Sequence, residues 1–254
     1  MDLSLKGKVA LVTGAGSQIG FGKGIALALA KEGCDIIVTD INFEGAKQTT
    51  AEVETLGRKA IAIKADVSKS DEVSHMVTVA LEKFGKIDIL VNNAGVSSGM
   101  RPFVNTTQKD WNKDLNVNLK GTLYCTKAVL PQMIERKSGK IINIASGAAV
   151  AAHPNVSTYA AAKAGILMFS KSLAVELAPS KINVNVITPG LADTGFHSAA
   201  KVPPEFHEFV RASVEAGKII TPEDIGNATA FLASEISRHI SGQVLNVWVE
   251  SFRG

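Results

Sequence analysis

The sequence predicts an α/β protein: a single domain over residues 1–254, built on one doubly wound, parallel, seven-stranded sheet with helices on both faces. Three observations predict it. Short strand-like runs alternate with helical stretches along the chain, which demands crossover helices and parallel strands. The first run, Val9-Ala-Leu-Val-Thr13, reads as a buried strand that passes directly through a glycine-rich turn into a helix. A chain of 254 residues, 46% of them hydrophobic, can also fill one large core.

The elements follow in order. After Val9–Thr13 and the turn, a helical run spans about Lys23 to Lys31, and Asp35–Thr39 is the second strand, ending against Asp40. A helix over Phe43–Leu56 has Asn42 or Asp40 before it as a candidate cap. Strand Ala60–Lys64, helix Ser70–Phe84 and strand Ile89–Asn92 continue the alternation, and Thr107–Lys137 reads as one long helix. Then come strand Lys140–Ile144, the alanine-rich helix Ser157–Leu177, strand Asn183–Ile187, helix Pro222–Ala233 and strand Gln243–Val249. No linker or repeat interrupts them.

The turn Gly14-Ala-Gly-Ser-Gln-Ile-Gly-Phe-Gly22 stands where a pyrophosphate can be held. Glycines let the backbone approach the phosphates, and a following helix N-terminus supplies amide donors and partial positive charge. A lone glycine cluster is weak evidence, but a strand before it, a helix after it and an acid closing the next strand complete a dinucleotide fingerprint. That acid is Asp40, whose carboxylate can accept from ribose hydroxyls and would repel a 2′-phosphate. Ile41 follows it, not arginine, so NAD is favoured over NADP. Capping the next helix remains open as a role for Asp40.

Acid–base chemistry is suggested by Tyr159-Ala-Ala-Ala-Lys163 with Ser146 upstream. Four residues apart on a helix, the phenol and ammonium share a face. The cationic field is expected to bring Tyr159 down from its ordinary value of about 10 toward working pH, with Ser146 holding a substrate oxygen. Alone, such a pair more often marks a solvated surface.

In these motifs the chain resembles the short-chain dehydrogenase/reductase family, from about Lys6 to Val247. The matching pieces are Thr13-Gly14 with the glycine turn, Asp66-Val67, Asn92-Asn93-Ala94-Gly95, and Asn118 in Val-Asn-Leu-Lys-Gly. Ser146, Tyr159-x-x-x-Lys163 and Pro189-Gly190-x-x-x-Thr194 complete them. The resemblance implies a Rossmann fold with Tyr159 as general acid/base and Ser146 as the residue polarising the substrate oxygen. It makes Lys163 both ribose ligand and modulator of the tyrosine, and Asn118 the holder of a proton-relay water. Asp66 and Val67 are implied as adenine contacts, Asn93 as cleft lining and Thr194 as the nicotinamide amide contact. The expected cofactor set is Gly14, Ser17, Gln18, Gly20, Phe21, Gly22, Asp40, Asp66, Val67, Asn93, Gly95, Tyr159, Lys163, Pro189, Gly190 and Thr194. Read without the resemblance, Asn92 and Asn93 are turn residues and Asn118 a polar helix residue satisfied by backbone.

Two departures stand out. The family's glycine turn has the form TGxxxGxG, whereas here Gly20-Phe-Gly22 closes the loop with two extra residues around Ser17–Ile19. Family members often end the last strand with an acid and two glycines, but this chain reads Val247-Trp-Val-Glu-Ser-Phe-Arg-Gly254. Trp248 and Phe252 are read as packing at a subunit contact, with Arg253 reaching toward an anionic substrate as the other reading.

The expected reaction is reversible hydride transfer between NAD(H) and a secondary alcohol/ketone pair, the substrate being small and either neutral, anionic or CoA-linked. An NADPH-dependent 3-ketoacyl-type reductase and a catalytically silent NAD-binding partner subunit are the alternatives. Substrate contacts are expected at Val96–Val104, which includes Arg101, at Gly147–Asn155, and at a lid over about 191–211 that carries Phe196, Phe206 and Phe209.

Other classes are disfavoured. Cys34 and Cys125 lack metal-ligand spacing and read as core thiols of a reduced cytoplasmic protein, and the five histidines form no metal motif, so no metal is expected. No long uncharged apolar run suggests a membrane span. The net charge of +3 is dispersed, without the basic stripe of a nucleic-acid binder. By resemblance a homotetramer or dimer is expected, through the helices at Thr107–Lys137 and Ser157–Leu177.

Overall fold

The computed structural model describes residues 2–192 and 219–248, together with Thr194, Glu205, Glu208, Val210, Ala212 and Ser213. Its strands are β1 (Val9–Thr13), β2 (Asp35–Asp40), β3 (Ala60–Lys64), β4 (Ile89–Asn92), β5 (Gly139–Ile144), β6 (Ile182–Pro189) and β7 (Val244–Val247). They form one sheet in the order β3-β2-β1-β4-β5-β6-β7, and every neighbouring pair is parallel. The chain winds outward from β1 to β3 and then restarts on the other side of β1 with β4. The crevice at the carboxyl ends of β1 and β4 is therefore a topological switch point, where open α/β sheets bind ligands.

Alternation along each strand feeds two cores. Val9 and Leu11 of β1, with Ile37, Leu90 and Ile141, pack against α3 (Ser70–Phe84), α5 (Gly121–Arg136) and α6 (Ser157–Leu177). Ala10 and Val12, with Ile36, Val38 and Ile142, pack against α1 (Phe21–Lys31), α2 (Phe43–Thr55) and α7 (Pro222–Ala233). Each fully buried leucine or isoleucine contributes about 1.5–3 kcal/mol, and burial on both faces explains why these strands read as continuous apolar runs.

Several boundaries differ from expectation. Helix α1 starts at Phe21, two residues before Lys23, because Gly20 takes the extended N-cap position. Strand β6 runs on to Pro189 because it pairs with Val247 of β7. The expected single helix over Thr107–Lys137 is instead α4 (Gln108–Asp114), a π-helical turn at Leu115–Lys120, and α5. The Asn118 side chain causes the break: its amide donates to the Asp114 carbonyl at 2.8 Å, occupying the acceptor that a regular helix would use. Apart from Leu191, Ala192, Thr194, Glu205, Glu208 and Val210, the segment expected as a lid lies outside the described residues, as do Phe252 and Arg253. Among the described residues, no helix is long and apolar enough to cross a membrane and no cluster of metal-ligating side chains occurs. Both cysteines are free and buried, their thiols pushed up to about 12 chiefly by desolvation.

Candidate active site

Ser146 lies two residues past the end of β5, Tyr159 lies in the first turn of α6, Lys163 one turn later, and Asn118 in the π turn that packs beside α6. Lys163 is buried, and its ammonium donates to the Ile144 carbonyl at 3.0 Å. The ammonium nitrogen stands 5.8 Å from the centre of the Tyr159 ring. Gly95, in the turn after β4, fits between Asn118 and Lys163. A Cβ there would lie 2.9 Å from the Asn118 Oδ1 and 3.2 Å from the Lys163 Nζ, so a side chain would push the two apart.

The electrostatics correct one expectation. Tyr159 is not brought below its ordinary range: desolvation pushes the phenol up to about 12, a hydrogen bond with Ser146 opposes that rise, and the Asp114 charge adds to it. Burial also lowers the Lys163 ammonium, to about 8, and its hydrogen bond is directed at Ile144 rather than at the phenol. The charge count was legible in the sequence, whereas the desolvation of both partners was not. Asn118 is held by backbone: Oδ1 accepts from the Val96 amide at 3.2 Å, and Nδ2 donates to the carbonyls of Val96 and Asp114, each at 2.8 Å.

Across the switch point lies a cradle of backbone. Gly14 has φ +68°, and a Cβ there would sit 2.6 Å from the Cα of Ala94, so only glycine lets the β1 and β4 turns meet this closely. Asn93 fastens them, donating from Nδ2 to the carbonyls of Thr13 and Gly14 at 2.9 and 3.0 Å. Asp40 accepts from the Gly16 amide through Oδ2 and from the Asn42 amide through Oδ1, both at 2.8 Å, while Asn42 rather than Asp40 caps α2. The lengthened loop folds back as a turn closed by the Gly20 amide on the Ser17 carbonyl at 3.2 Å. Gln18 is directed away from the β4 side. Its amide donates to the carbonyls of Gly16 and Gly45 at 3.1 and 3.0 Å, and its Oε1 accepts from Lys23. Phe21 packs on the core, and Gly22 lies buried in the first turn of α1.

The N-terminus of α1 has no side-chain cap, so its first amides and positive dipole end suit an anionic group. With the carboxylate of Asp40 at the end of the next strand, this cradle fits a dinucleotide. Asp66 follows β3 and accepts from the Ser68 amide and hydroxyl at 2.9 and 2.7 Å, while Val67 is buried against Gly121. Pro189 closes β6 and the Gly190 amide donates to Val247 at 3.0 Å. Thr194 is buried, and both its neighbours lie outside the described residues.

The contacts of three residues escaped the sequence reading. The Thr13 hydroxyl accepts from the amides of Asn93 and Ala94, each at 3.0 Å, bracing the β4 turn. Asp114 is buried and accepts from the hydroxyl of Thr158, the neighbour of Tyr159, and its spacing of four from Asn118 was the available signal. Trp248 packs on the loops after β5 and β6: a Cβ on Gly147 would meet its ring at 3.1 Å, and one on Gly190 its Cβ at 2.5 Å. This seat lies within the subunit and leaves Trp248 partly exposed.

A dinucleotide cradle joined at the carboxyl ends of parallel strands to a tyrosine, lysine and serine cluster defines a nicotinamide-type oxidoreductase site. A family profile described as enoyl-(acyl carrier protein) reductase matches residues 14–247. The 3-oxoacyl-[acyl-carrier-protein] reductase FabG of Thermotoga maritima is 36% identical over 245 residues, 96% of this chain and 98% of that protein. A (2S)-[(R)-hydroxy(phenyl)methyl]succinyl-CoA dehydrogenase subunit, BbsD of Thauera aromatica, is 37% identical, with 96% of each chain covered. Among solved structures, a 7α-hydroxysteroid dehydrogenase complexed with NADH and 7-oxo glycochenodeoxycholic acid superposes with a TM-score of 0.89. It is 34% identical, covering 97% of this chain and 95% of its own. The chain belongs to the short-chain dehydrogenase/reductase family.

Proposed function

We propose that this protein is an NAD-dependent dehydrogenase that interconverts a secondary alcohol and its ketone, as one catalytic domain. The observation that carries this reading is the convergence of Ser146, Tyr159 and Lys163 beside the cradle, because this combination serves proton exchange with an alcohol oxygen. NAD, when bound, supplies the hydride acceptor. In the oxidative direction the Tyr159 phenolate takes the hydroxyl proton as the carbinol C–H electron pair departs, and Ser146 holds the oxygen in place. Asn118 holds a relay water, and Lys163 orients the ribose. Asp40 supports NAD over NADP, since its carboxylate at the end of β2 would repel a 2′-phosphate.

The rest of the cofactor contacts are proposed as read from the sequence, from Gly14 through Thr194, with the lid over 191–211 excluding water. For Gln18 the contact is through its backbone, since its side chain braces the loop against α2. Buried free thiols support a reducing, cytoplasmic setting. Exposed Met168 and Val175, seven residues apart on α6, support a homo-oligomer.

A second reading is favoured by the relatives named as acyl-carrier-protein reductases: an NADPH-dependent reductase of a 3-ketoacyl thioester. A silent NAD-binding partner subunit is the third, and the acid–base cluster speaks against it. The experiment that separates them follows NADH or NADPH absorbance over a panel of secondary alcohols, their ketones and hydroxyacyl thioesters. Turnover with NAD on alcohols supports the first reading. NADPH-restricted reduction of ketoacyl thioesters supports the second, and NAD binding without any turnover supports the third.

A further inference from the structure

The Asp114 carboxylate is 1% exposed and accepts three hydrogen bonds. Its Oδ1 receives the Ser98 amide at 2.7 Å, and its Oδ2 receives the Ser98 hydroxyl at 2.9 Å and the Thr158 hydroxyl at 2.6 Å. Ser98 belongs to the loop after β4, and Thr158 immediately precedes Tyr159 in α6. The backbone carbonyl of Asp114 meanwhile accepts from Asn118, the bond that creates the π turn. One residue thus ties the substrate-side loop, the turn bearing Asn118 and the head of the helix bearing Tyr159.

A buried carboxylate costs free energy unless it is paired or fully hydrogen-bonded. Here hydroxyl and amide donors satisfy it, and among the described residues no cation forms an ion pair with it. The neighbouring charges are committed elsewhere. Arg101 donates to the Ser98 carbonyl at 2.6 Å and pairs with Asp110 at 3.3 Å, Asp110 is further held by Thr107, and Lys113 donates to the Ser97 carbonyl at 3.1 Å. Lys163 stands 5.8 Å from the centre of the Tyr159 ring and is bonded to Ile144. The carboxylate therefore reaches Tyr159 with no ion-pair partner of its own among the described residues, as a negative charge set against the Lys163 ammonium.

We propose that Asp114 is a positioning residue with an electrostatic function: it locks the 96–99 loop to the head of α6 and holds a negative charge, without an ion-pair partner, near the Tyr159 phenol. That charge favours the protonated phenol. In the reductive direction it keeps the proton donor charged with its proton, and in the oxidative direction it moves the rise of activity to higher pH. The inference rests on Tyr159 as the acid–base residue only for this last, kinetic consequence.

The test uses the Asp114→Asn and Asp114→Leu variants of the full chain. Asparagine retains the shape, accepting from the Ser98 amide through Oδ1 and donating to the Ser98 and Thr158 hydroxyls through Nδ2, while the charge is lost. The chain has two tyrosines, Tyr124 and Tyr159, so tyrosinate ultraviolet absorbance with Tyr159→Phe as blank reports Tyr159 without any substrate. With and without NAD, the Tyr159 midpoint of Asp114→Asn is expected to fall by about half a unit at near-native Tm. On an active substrate the same shift reads as about threefold faster oxidation at fixed pH on the rising limb. Hydrogen exchange at the Ser98 amide is expected to stay protected in Asp114→Asn and to accelerate at least tenfold in Asp114→Leu. An unchanged Tyr159 midpoint in a folded Asp114→Asn overturns the electrostatic role, and unchanged Ser98 exchange in Asp114→Leu overturns the lock. Failure of the dehydrogenase reading would appear instead as a wild-type protein without turnover, with titration and exchange still deciding the role of Asp114.

Discussion

The Lys163 ammonium donates a 3.0 Å hydrogen bond to the carbonyl of Ile144, the last residue of β5 and two positions before Ser146. The bond ties the middle of α6 to the strand that presents Ser146, at a site where the lysine is 3% exposed. One hydrogen bond does not replace the lost hydration, so burial lowers the ammonium to about 8.

That lowering has a signed consequence for stability. Between about 8 and the ordinary lysine value the unfolded chain binds more protons than the folded one, so the Lys163 contribution to stability rises with pH across this window. The slope cannot exceed about 1.4 kcal/mol per pH unit. Urea unfolding of wild type and Lys163→Met, compared at pH 7.5 and 9.5 as set conditions, should show the wild type gaining on the variant. Parallel curves would sink the assignment.

Tyr159→Phe should cut turnover by about 10²–10⁴-fold or more while leaving NAD affinity within a few-fold of wild type. Because the phenol stands near 12 in the protein alone, oxidation should accelerate through the alkaline range and reduction should be favoured at lower pH. Isothermal titration with NAD beside steady-state rates checks both halves, and a fully active variant would remove Tyr159 from the reaction.

Asp40 serves the loop as well as the proposed ribose contact, through its bond to the Gly16 amide. Asp40→Ser with Ile41→Arg should therefore raise the KM for NAD at least tenfold and improve NADP, at some loss of stability from the released amide. If NAD retains its full advantage in the double variant, the selectivity lies elsewhere.

The sheet was legible because periodicity and order suffice for it: Val9–Thr13, Ala60–Lys64 and Ile89–Asn92 fall as read, and helix Ser157–Leu177 does too. What periodicity cannot register is a side chain competing with backbone, so the π turn under Asn118 read as continuous helix. Asp114 was missed for a related reason, since a lone acid in Trp-Asn-Lys-Asp reads as a surface charge until Ser98 and Thr158 are folded onto it. The pairing of Tyr159 with Lys163 was visible, but their shared burial, which reversed the expected shift, belongs to tertiary structure.

Met168 is 65% exposed and Val175 76%, one face of α6 apart from the sheet. Met168→Asp with Val175→Asp should shift the protein toward monomer in sedimentation velocity. A mass unchanged from wild type would place any assembly on another surface.

Asp88, just before β4, accepts the Val9 amide at 2.9 Å, Arg136 at 2.8 Å and Lys86 at 2.9 Å, joining β1, β4 and α5 at the amino ends of the strands. Burial alone would raise its carboxyl, but the bonds from Lys86, Arg136 and Val9 outweigh it and hold the group below the usual range. A depressed folded value contributes stability that is present above the unfolded value of about 3.9 and lost as pH falls through the folded one. Asp88→Asn keeps the size of the side chain but removes the charge facing two cations, and should cost about 2–3 kcal/mol at neutral pH. In acid the wild type should lose that advantage, so unfolding free energies for the two proteins should converge as pH drops below about 3.9. Denaturant titrations at a series of pH values measure this directly, and a gap that persists undiminished in acid would show that Asp88 acts by shape alone.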